Sequence, residues 1–485
     1  MKDNFEVKRM TSQIRIVVCL FSLLAVQTCT GRDMTDCYAN NVNPYLKFAT
    51  KTSYEFIYER PKLRDRGIRD CEPVQLWILA RHGTRYPGQK SIRELSQLQH
   101  LKIEILRNHE ELKNGRLCYA DLNSLKAWTF NVKMTDANLL TKQGRSDLYF
   151  MAKRLRTKYP SLFQQGYSPN LFKFRHTDSE RTRQSARAFA EGLFESTQGI
   201  WIPPAVVNDT VIKPYENCTY WQKQVKNNPM NQREPELFKL SQDMRTLVHN
   251  VSARLGFLYD LSIDTIETMY DMCRYDKSWN VNERSPWCAA FTKSELITLE
   301  YLEDLEAYYD SGYGDNLNLR LGCTAIKDML EGFQHLEDEN VQHAQEPIGK
   351  FYFSHASALL MTMARLGIAS HGIPLRHDNF DEQRNREWKT SELSPFAANL
   401  AAVFFKCTTG EYNKVMFYVN ERNIAFDGCD VGLCSWSYIR SKFSDILQSC
   451  DLEWCRNGSS HSNYIFPLLI CGLLHYTVYL YRQFV

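Results

Sequence analysis

Three short apolar runs along the chain each end in a cluster of polar residues and then pass into a helical pattern. The runs are residues 74–80, 171–174 and 351–353, and the clusters begin at Arg81, Arg175 and Ser354. An unbroken apolar run of this length predicts a strand that is buried on both faces. The alternation of strand, turn and helix predicts an α/β fold with a Rossmann-like, mostly parallel sheet flanked by helices. Because ligands bind beyond the carboxyl ends of strands in such sheets, we expect the three clusters to meet at one edge.

The pattern changes between the second and third runs. Long amphipathic stretches, such as residues 238–261 and 293–309, are typical of helices. We therefore predict a helical cap inserted into an α/β core. The predicted core covers residues 37–197 and 350–455, and the predicted cap covers residues 198–349 together with part of residues 91–138.

Composition and charge narrow the class of protein. The 485 residues are 44% hydrophobic and 24% charged, which excludes a disordered or fibrous chain. Fifty-nine Lys and Arg oppose 56 Asp and Glu, so the formal charge is only +3. This balance argues against nucleic acid as a partner, and any site for an anion must be local.

Both ends of the chain have the features of an exported protein. Residues 1–30 are predicted to be a signal peptide, because Lys8, Arg9 and Arg15 precede the uncharged run 16–26. An uncleaved anchor is the alternative. The C-terminal residues 457–485 contain a second apolar run, 464–481, which predicts a glycolipid-anchor signal or a single membrane span, with a buried helix as the alternative. We expect the protein in the secretory pathway, at the cell surface or outside the cell.

Sequons and cysteines agree with that compartment. Sequons for N-glycosylation occur at Asn208, Asn217, Asn250 and Asn457. Of the 15 cysteines, 12 lie outside the two terminal segments. An even dozen favours disulfides over a zinc site, although Cys429-x₄-Cys434 and Cys450-x₄-Cys455 also have a spacing that zinc ligands adopt. Cys273 and Cys288 are a plausible local pair.

Five side chains in the three clusters have the chemistry of a phosphate site. Arg81, Arg85 and Arg181 are permanent cations, and His82 and His355 are imidazoles on the same predicted edge. One guanidinium group can donate two parallel hydrogen bonds to the oxygens of a phosphate. Nearby positive charges favour the neutral form of an imidazole, and the neutral imidazole is a nucleophile. A structural histidine or a surface salt-bridge cluster are the alternatives, but no acidic residue within the first motif is available to pair with its arginines.

The sequence Arg81-His82-Gly83-Thr84-Arg85-Tyr86-Pro87 resembles the Arg-His-Gly-x-Arg-x-Pro motif of the histidine phosphatases, in the branch of acid phosphatases and phytases. Within that branch the chain is most similar to the inositol polyphosphate phosphatases. The resemblance extends over residues 37–455, with further support from residues 140–144, 178–182, 285–288, 309–314 and 394–400.

The resemblance implies a role for each residue. His82 would be the nucleophile, Arg81, Arg85 and Arg181 would hold the phosphate, and His355 would donate a hydrogen bond to it. It also implies an α/β domain with an α-helical cap and no metal or organic cofactor. The implied substrate is a small polyphosphate such as phytate, with 2,3-bisphosphoglycerate as a further possibility.

One position departs from the family. Inositol polyphosphate phosphatases have His-Ala-Glu after the third strand and related phytases have His-Asp, whereas this chain has His355-Ala356-Ser357. A serine is not a general acid at ordinary pH, and general acid catalysis is worth ~10²- to 10⁴-fold in rate. Phosphate capture by His82 would survive, but alkyl phosphates would turn over slowly unless another acid reaches the site.

Several residues are candidates for that acid or for further phosphate contacts. A water held by Ser357, a side chain from the cap, the pair His377-Asp378, and His176 with Asp178 are candidate donors, although Asp178 is also placed to cap the next helix. Lys90 is the candidate for a further phosphate contact, ahead of Lys173 and Arg183, and a solvated surface charge is the alternative for each.

Two other functions remain open at this point. The first is a phosphate-ligand binding protein that kept the arginine pocket and lost efficient turnover. The second is a broad-specificity acid phosphatase that acts on phosphoproteins or small monoesters. A cytosolic phosphoglycerate mutase shares the Arg-His-Gly chemistry, but the signal peptide, sequons and cysteines oppose it.

Overall fold

The described part of the chain begins at Cys37 and ends at Asn457. The computed structural model describes residues 37–58, 68, 70–196, 198–337, 346–370, 372–424, 426, 428–429 and 432–457. The predicted signal peptide and the apolar run 464–481 lie outside these ranges. Within them, no helix has both the length and the apolar character needed to cross a membrane.

A mixed sheet forms the centre of the molecule. Its strands in the described ranges are β1 Cys71–Arg81, β2 Phe172–His176, β3 Gly349–Ser354, β4 Asn399–Cys407, β5 Asn413–Val419, β6 Arg422–Asn423 and β7 Leu433–Ser435. Their order is β2-β3-β1-β4-β5-β6, with β7 paired to β5. β3 lies between β2 and β1 and runs parallel to both. The three polar clusters therefore leave neighbouring strands at the same edge, as expected.

The second half of the sheet differs from the prediction of a mostly parallel sheet. β4 runs antiparallel to β1, and β5 runs antiparallel to β4, β6 and β7. A five-residue loop, 408–412, connects β4 to β5, and Gly410 has a φ of 73° in it. A connection this short joins only antiparallel neighbours, whereas parallel strands need a longer crossover.

Both faces of the sheet are covered, so β1 is buried from Gln75 onward. Leu76, Ile78 and Ala80 pack into one hydrophobic cluster, and Trp77 and Leu79 into another. This division follows from the period of two along a strand, which sends successive side chains to opposite faces. The unbroken apolar run in the sequence is therefore a strand between two helical layers.

The helices lie before, between and after the strands. Their bounds are α1 Tyr54–Tyr58, α2 Gln89–Glu110, α3 Tyr119–Ala127, α4 Lys142–Lys158, α5 Glu180–Phe194, α6 Thr219–Trp221, α7 Arg233–Lys239, α8 Gln242–Arg254, α9 Ile263–Trp279, α10 Lys293–Ser311, α11 Asn316–Leu321, α12 Cys323–His335, α13 Ala356–Arg365, α14 Thr390–Leu393, α15 Trp436–Lys442, α16 Ser444–Ser449 and α17 Trp454–Asn457. Residues 198–337 contribute helices and loops to the described structure and no strand. The boundaries of a separate cap remain a prediction, because side chains of α9, α10 and α12 share one hydrophobic cluster with β1 and β4.

Local signals explain where two of the longer helices begin. Thr141 caps α4 by accepting a hydrogen bond from the backbone N–H of Gly144. Thr292 and Glu295 form a capping box at the start of α10. Side chains of this type satisfy backbone donors that a first turn leaves unpaired.

All 12 cysteines of the body form disulfides. The pairs are Cys37–Cys118, Cys71–Cys407, Cys218–Cys455, Cys273–Cys288, Cys323–Cys450 and Cys429–Cys434. The local Cys273–Cys288 pair is confirmed. The zinc alternative is wrong for both four-residue spacings, since Cys450 and Cys455 bond to distant partners and Cys429 bonds to Cys434.

Candidate active site

The backbone of His82 is fixed where β1 leaves the sheet. Its N–H donates to the carbonyl oxygen of Ser354 at 3.0 Å, and its own carbonyl accepts from the N–H of Ala397 at 3.0 Å. His82 is 3% exposed. The residue that follows β1 is therefore held between the end of β3 and the segment that leads into β4.

A hydrogen bond selects the reactive nitrogen of His82. Its Nδ1 lies 2.8 Å from the carbonyl oxygen of Gly83, and because a carbonyl only accepts, Nδ1 carries the proton. The lone pair of the neutral ring is then on Nε2. Burial lowers the pKa of His82 well below its ordinary value, and Arg81, His355, Arg181 and Arg85 lower it further. The ring is a neutral nucleophile.

Two glycines allow the loop after His82 to lie against α4. A Cβ on Gly83 would lie 2.4 Å from the carbonyl oxygen of Gly144, and a Cβ on Gly144 would lie 2.3 Å from that of Thr84. The N–H of Gly83 donates to Ser185 Oγ of α5 at 3.0 Å. Thr141, the cap of α4, donates from both its N–H and its hydroxyl to the carbonyl of Thr84, each at 2.9 Å. The motif residues between His82 and Arg85 therefore seat the loop on two helices.

Arg81 is a buried cation beside His82. Its Nη1 donates to the carbonyls of Ser394, at 2.8 Å, and Thr50, and its guanidinium lies 4.5 Å from the ring centre of Phe396. Its Nε has no hydrogen-bond partner in the described structure. Burial and the charge of Arg85 lower the pKa of Arg81 to about 9, so it remains protonated at neutral pH. A buried cation held by carbonyls, without a carboxylate partner, favours an anion as ligand.

Arg181 and Arg85 complete a set of three cations. Arg181 has a buried Nε without a partner in the described structure, and burial and Arg85 lower the pKa of Arg181 to about 10. Arg85 donates from Nη1 to the carbonyl of Tyr86 at 2.8 Å, and its backbone bridges to Leu140. The positive charges of the three guanidinium groups repel one another. A phosphate bound among them would relieve that repulsion and accept charge-assisted hydrogen bonds.

His355 faces His82 across the site, with 5.5 Å between the ring centres. Its Nδ1 lies 3.3 Å from Nη2 of Arg181, which only donates, so Nδ1 holds a lone pair. Its Nε2 carries the proton and donates to Thr177 Oγ1 at 3.0 Å. Burial, followed by the charges of Arg181 and Lys213, lowers the pKa of His355 to about 2. His355 is the N-cap residue of α13, so its neutral ring lies next to free backbone donors.

Ser357 lies in the first turn of α13 and is half-buried. The surroundings of His176 and Asp178 argue against these two candidate donors. His176 faces backbone carbonyls with both ring nitrogens, Thr177 O at 2.8 Å and Pro203 O at 3.0 Å. Asp178 is exposed, and the N-cap position of α5 belongs to Ser179. The expectation that Asp178 caps α5 is therefore wrong by one residue.

The His377-Asp378 pair is held by residues outside the histidine pocket. His377 Nδ1 lies 2.6 Å from Glu234 of α7, and Asp378 accepts from Arg376 Nε at 2.9 Å. The hydroxyl of Tyr309 in α10 donates to the carbonyl of Leu375 at 2.9 Å. These contacts attach the loop to helices of the predicted cap, and none of the described contacts joins it to His82.

The predicted extra phosphate contacts lie on the surface. Lys90, in the first turn of α2, has a side chain that is 90% exposed and lies 3.7 Å from Glu94. Lys173 and Arg183 are also exposed. Among the described contacts, none connects these three cations to the pocket.

The contribution of residues 209–215, which precede α6, to the site was not predicted from the sequence. The carbonyl of Ile212 accepts from Ser354 Oγ at 2.5 Å, and Asp209 forms an ion pair with Arg175 of β2 at 2.6 Å. This segment brings Lys213 close enough to lower the pKa of His355. Burial, followed by the charge of Glu216, raises the pKa of Tyr215, and the charge of the neighbouring Arg181 opposes that rise. No periodicity marks these residues, because the segment has no regular structure.

The sequons lie in different surroundings. Asn208 and Asn217 are exposed on the segment that also carries Lys213. Asn250 is half-buried in α8, and Ser252 of its sequon is buried and bonds to the carbonyl of Val248. Asn457 ends α17, and its side chain lies outside the described structure.

The described residues contain one cluster with the composition of a metal site. Its members are Cys37, Cys118 and Asp121. The two cysteines form a disulfide with each other, so neither offers a thiolate. Asp121 accepts instead from the backbone N–H groups of Tyr38 and Ala39, at 2.8 and 2.7 Å. This cluster fixes the start of the described chain to α3.

Comparison with known proteins agrees with the geometry. The family model of the histidine phosphatase superfamily (branch 2) matches residues 74–420, which include His82, Arg181 and His355. The chain belongs to this superfamily. As a histidine phosphatase it is a phosphoric monoester hydrolase, and the α/β fold expected from the resemblance is confirmed.

Curated relatives and solved structures cover most of the histidine phosphatase. It is 35% identical to multiple inositol polyphosphate phosphatase 1 of Drosophila melanogaster over 86% of this chain and 89% of the relative. It is 30% identical to the Homo sapiens protein of that name over 92% of this chain and 95% of the relative. The phytase from D. castellii has a similar fold, with a TM-score of 0.63, 17% identity, and coverage of 86% of this chain and 90% of that one. For the Bifidobacterium longum multiple inositol polyphosphate phosphatase in complex with inositol hexasulfate, the TM-score is 0.60 at 15% identity, over 82% of this chain and 97% of that one.

Proposed function

We propose that this histidine phosphatase is an exported phosphomonoesterase that hydrolyses inositol polyphosphates through a phosphohistidine at His82. The observation that carries the proposal is the orientation of His82, with Nε2 free and neutral beside the buried Arg81. The curated relatives named as multiple inositol polyphosphate phosphatases support the substrate class.

In the first step, Nε2 of His82 attacks the phosphorus of a bound monoester. An N–P bond forms while the bond from phosphorus to the ester oxygen breaks, and the leaving oxygen takes the electron pair and then a proton. Arg81, Arg85 and Arg181 neutralise the charge on the other phosphate oxygens, and such electrostatic stabilisation is typically the largest contribution to catalysis. His355, on the opposite side, would orient the phosphate together with Arg181.

In the second step, water attacks the phosphohistidine. The P–N bond breaks, inorganic phosphate leaves, and His82 returns to the neutral form that the surrounding cations favour. The hydrogen bond from Nδ1 to Gly83 is kept throughout, so the same nitrogen is reactive in each cycle.

Two lysines near the pocket support a substrate with several phosphates. Lys213 is near His355 and forms an ion pair with Glu216. Lys51 follows Thr50, whose carbonyl binds Arg81, and it lies 3.3 Å from Asp271. A phosphate next to the one under attack would have a lysine to bind in addition to the three arginines.

Ser357 supports a second candidate, a phosphate-ligand binding protein with little turnover. A chain with the three arginines and no general acid would bind phosphate and release an alkoxide slowly. A broad acid phosphatase remains the alternative in substrate range.

The proposed compartment is the secretory pathway. Six disulfides in one chain are typical of an oxidising environment, and Asn208 and Asn217 are exposed for glycosylation. The membrane anchor predicted for residues 457–485 has no support from the described structure and stays a prediction.

The test is phosphate release from inositol hexakisphosphate by the full chain, expressed through the secretory pathway, beside His82→Ala and Ser357→Glu variants. We expect the native chain to release phosphate and His82→Ala to release none. If the native chain is silent while Ser357→Glu is active, the binding protein is the correct function. Faster turnover of a phosphoseryl peptide than of inositol hexakisphosphate would favour the broad acid phosphatase.

A further inference from the structure

The chemistry of the leaving group requires a proton that Ser357 does not supply. An inositol oxygen that leaves without a proton is a strong base, whereas a nitrophenolate leaves readily as an anion. The proposed function therefore needs a second acid at the pocket, and the structure narrows the choice of carboxyl groups.

Most carboxyl groups near the site already have partners. Asp147, below the loop after His82, accepts from Gln143 at 2.8 Å and from Thr84 Oγ1 at 3.4 Å. Glu216 pairs with Lys213, and its side chain is half exposed. Asp209 pairs with Arg175.

Glu180 differs from these groups. It is the first residue of α5, directly before Arg181, and its Oε2 is buried without a hydrogen-bond partner in the described structure. Its charge raises the pKa of Arg181, and no other described carboxylate is a main influence on the pKa of Arg181, Arg81, His82 or His355. An unpaired buried carboxylate oxygen is costly, which favours a role that a ligand completes.

The surrounding contacts place Glu180 at the active edge of the sheet. Arg181 donates toward His355, and Ser185, one turn further along α5, accepts from Gly83. The first turn of α5 thus lies against both the loop after β1 and the residue after β3. Glu180 adjoins the arginine that would bind the phosphate, and its side chain is long and flexible.

We propose that Glu180 donates the proton to the leaving oxygen in place of an acid at position 357. This proposal rests on the proposed phosphatase function. As the P–O bond breaks, the carboxyl group of Glu180 transfers its proton to the alkoxide and becomes a carboxylate. That carboxylate then accepts a proton from the water that attacks the phosphohistidine, so the cycle ends with Glu180 protonated and no net proton gained or lost by the enzyme.

The experiment compares two substrates whose leaving groups differ in basicity. Full-length Glu180→Gln, which keeps the size of the side chain, is assayed with inositol hexakisphosphate and with p-nitrophenyl phosphate. We expect turnover of inositol hexakisphosphate to fall by roughly 10²- to 10⁴-fold, and turnover of p-nitrophenyl phosphate to change by less than about threefold. Asp178→Asn, an exposed carboxylate two residues earlier, is the matched control and should leave both rates unchanged.

A second variant separates loss of an acid from disturbance of Arg181. In the double variant Glu180→Gln/Ser357→Glu, a carboxyl at the family's usual position should restore turnover of inositol hexakisphosphate. Equal losses on both substrates would overturn the proposal, because Glu180 would then act by holding Arg181. Unchanged turnover on both would also overturn it. A native chain that releases phosphate from neither substrate would refute the proposed function itself.

Discussion

The backbones of Gly83 and Gly144 lie against each other, so that a Cβ on Gly83 would be 2.4 Å from the carbonyl oxygen of Gly144. The loop after the nucleophile is thereby seated on the first turn of α4. Gly83 also supplies the carbonyl that holds Nδ1 of His82. The position of one glycine therefore affects both the packing of the loop and the reactive nitrogen.

Substitution of Gly83 by Ala should impair both folding and turnover. The added methyl group meets backbone rather than a flexible side chain, and overpacking of this kind costs on the order of 1–3 kcal/mol. We expect a lower melting temperature and a large loss of kcat on p-nitrophenyl phosphate. Gly372→Ala is the control, since nothing lies within 4 Å of its added Cβ, and equal effects of the two variants would contradict the argument.

Substitution of Thr177 by Val should reduce turnover, because Nε2 of His355 loses the acceptor that holds its proton in place. Thr177 Oγ1 accepts from Nε2 of His355, and a buried donor left without an acceptor costs about 1–3 kcal/mol. We expect kcat to fall by roughly tenfold, since about 1.4 kcal/mol added to the activation barrier corresponds to that factor. Thr177→Ser keeps the hydroxyl and should retain most of the activity. A Ser variant as slow as the Val variant would assign the loss to packing.

The carboxyl group of Asp147 should make stability fall as the pH rises from 3.8 to about 7. Burial raises the pKa of Asp147 to about 7, above its unfolded value of 3.8. The native state then binds more protons between these values, so the contribution to stability is full below pH 3.8 and is lost as the pH rises through 7. Asp147→Asn imitates the protonated form.

We therefore expect the melting temperature of Asp147→Asn, minus that of the native chain, to increase between pH 5 and pH 8. The slope is measured by thermal unfolding at a series of pH values. Asp178→Asn, an exposed position, should show no such slope. A difference that shrinks as the pH rises would contradict the assignment.

Removal of Lys213 should weaken the binding of polyphosphates more than that of a simple monoester. Lys213 lies near His355 but outside the three arginines that would hold the phosphate under attack. For Lys213→Ala we expect KM to rise several-fold with inositol hexakisphosphate and to change little with p-nitrophenyl phosphate. Lys223→Ala, an exposed lysine in the same region, is the control. A similar rise on both substrates would place Lys213 at the attacked phosphate.

Asp304 should be important for stability although none of its described contacts is with the three arginines or the two histidines of the site. It is fully buried and accepts from Arg386 Nε at 2.8 Å, from the N–H of Thr390 at 2.8 Å and from its hydroxyl at 2.6 Å. Removing one member of a buried ion pair costs about 3–5 kcal/mol. We expect Asp304→Ala to lower the melting temperature strongly, whereas Arg384→Gln, which breaks an exposed pair with Asp381, should have little effect. Similar small shifts in both variants would show that the buried pair is dispensable.

The parts of the fold that sequence reasoning reached are those with local signals. The runs at 74–80, 171–174 and 351–353 became β1, β2 and β3, and the polar residues after them meet as expected. The antiparallel half of the sheet was missed because β4 is buried along nearly its whole length and has the same pattern as a parallel strand. Only the short connection to β5 distinguishes the two cases.

The sequence predicted the site residues that belong to one contiguous motif. It did not predict the hydrogen-bond partners that come from distant parts of the chain. Arg81 and His82 follow directly from the motif. The carbonyls of Thr50 and Ser394 that hold Arg81 belong to segments with no chemical signature, because any residue offers a carbonyl. Lys90 lies three residues after the motif, but the helix that begins at Gln89 carries its side chain to the surface.

The position of β3 has a consequence for the way the protein is made. β3 lies between β1 and β2, yet the ribosome completes it more than 150 residues after β2. Until it emerges, the two earlier strands have no shared partner, and their edges stay open while the intervening helices are synthesised. A nascent chain that stalls before residue 349 would have both halves of the arginine set and no sheet to hold them together. Such a chain would depend on chaperones in the compartment where it is made.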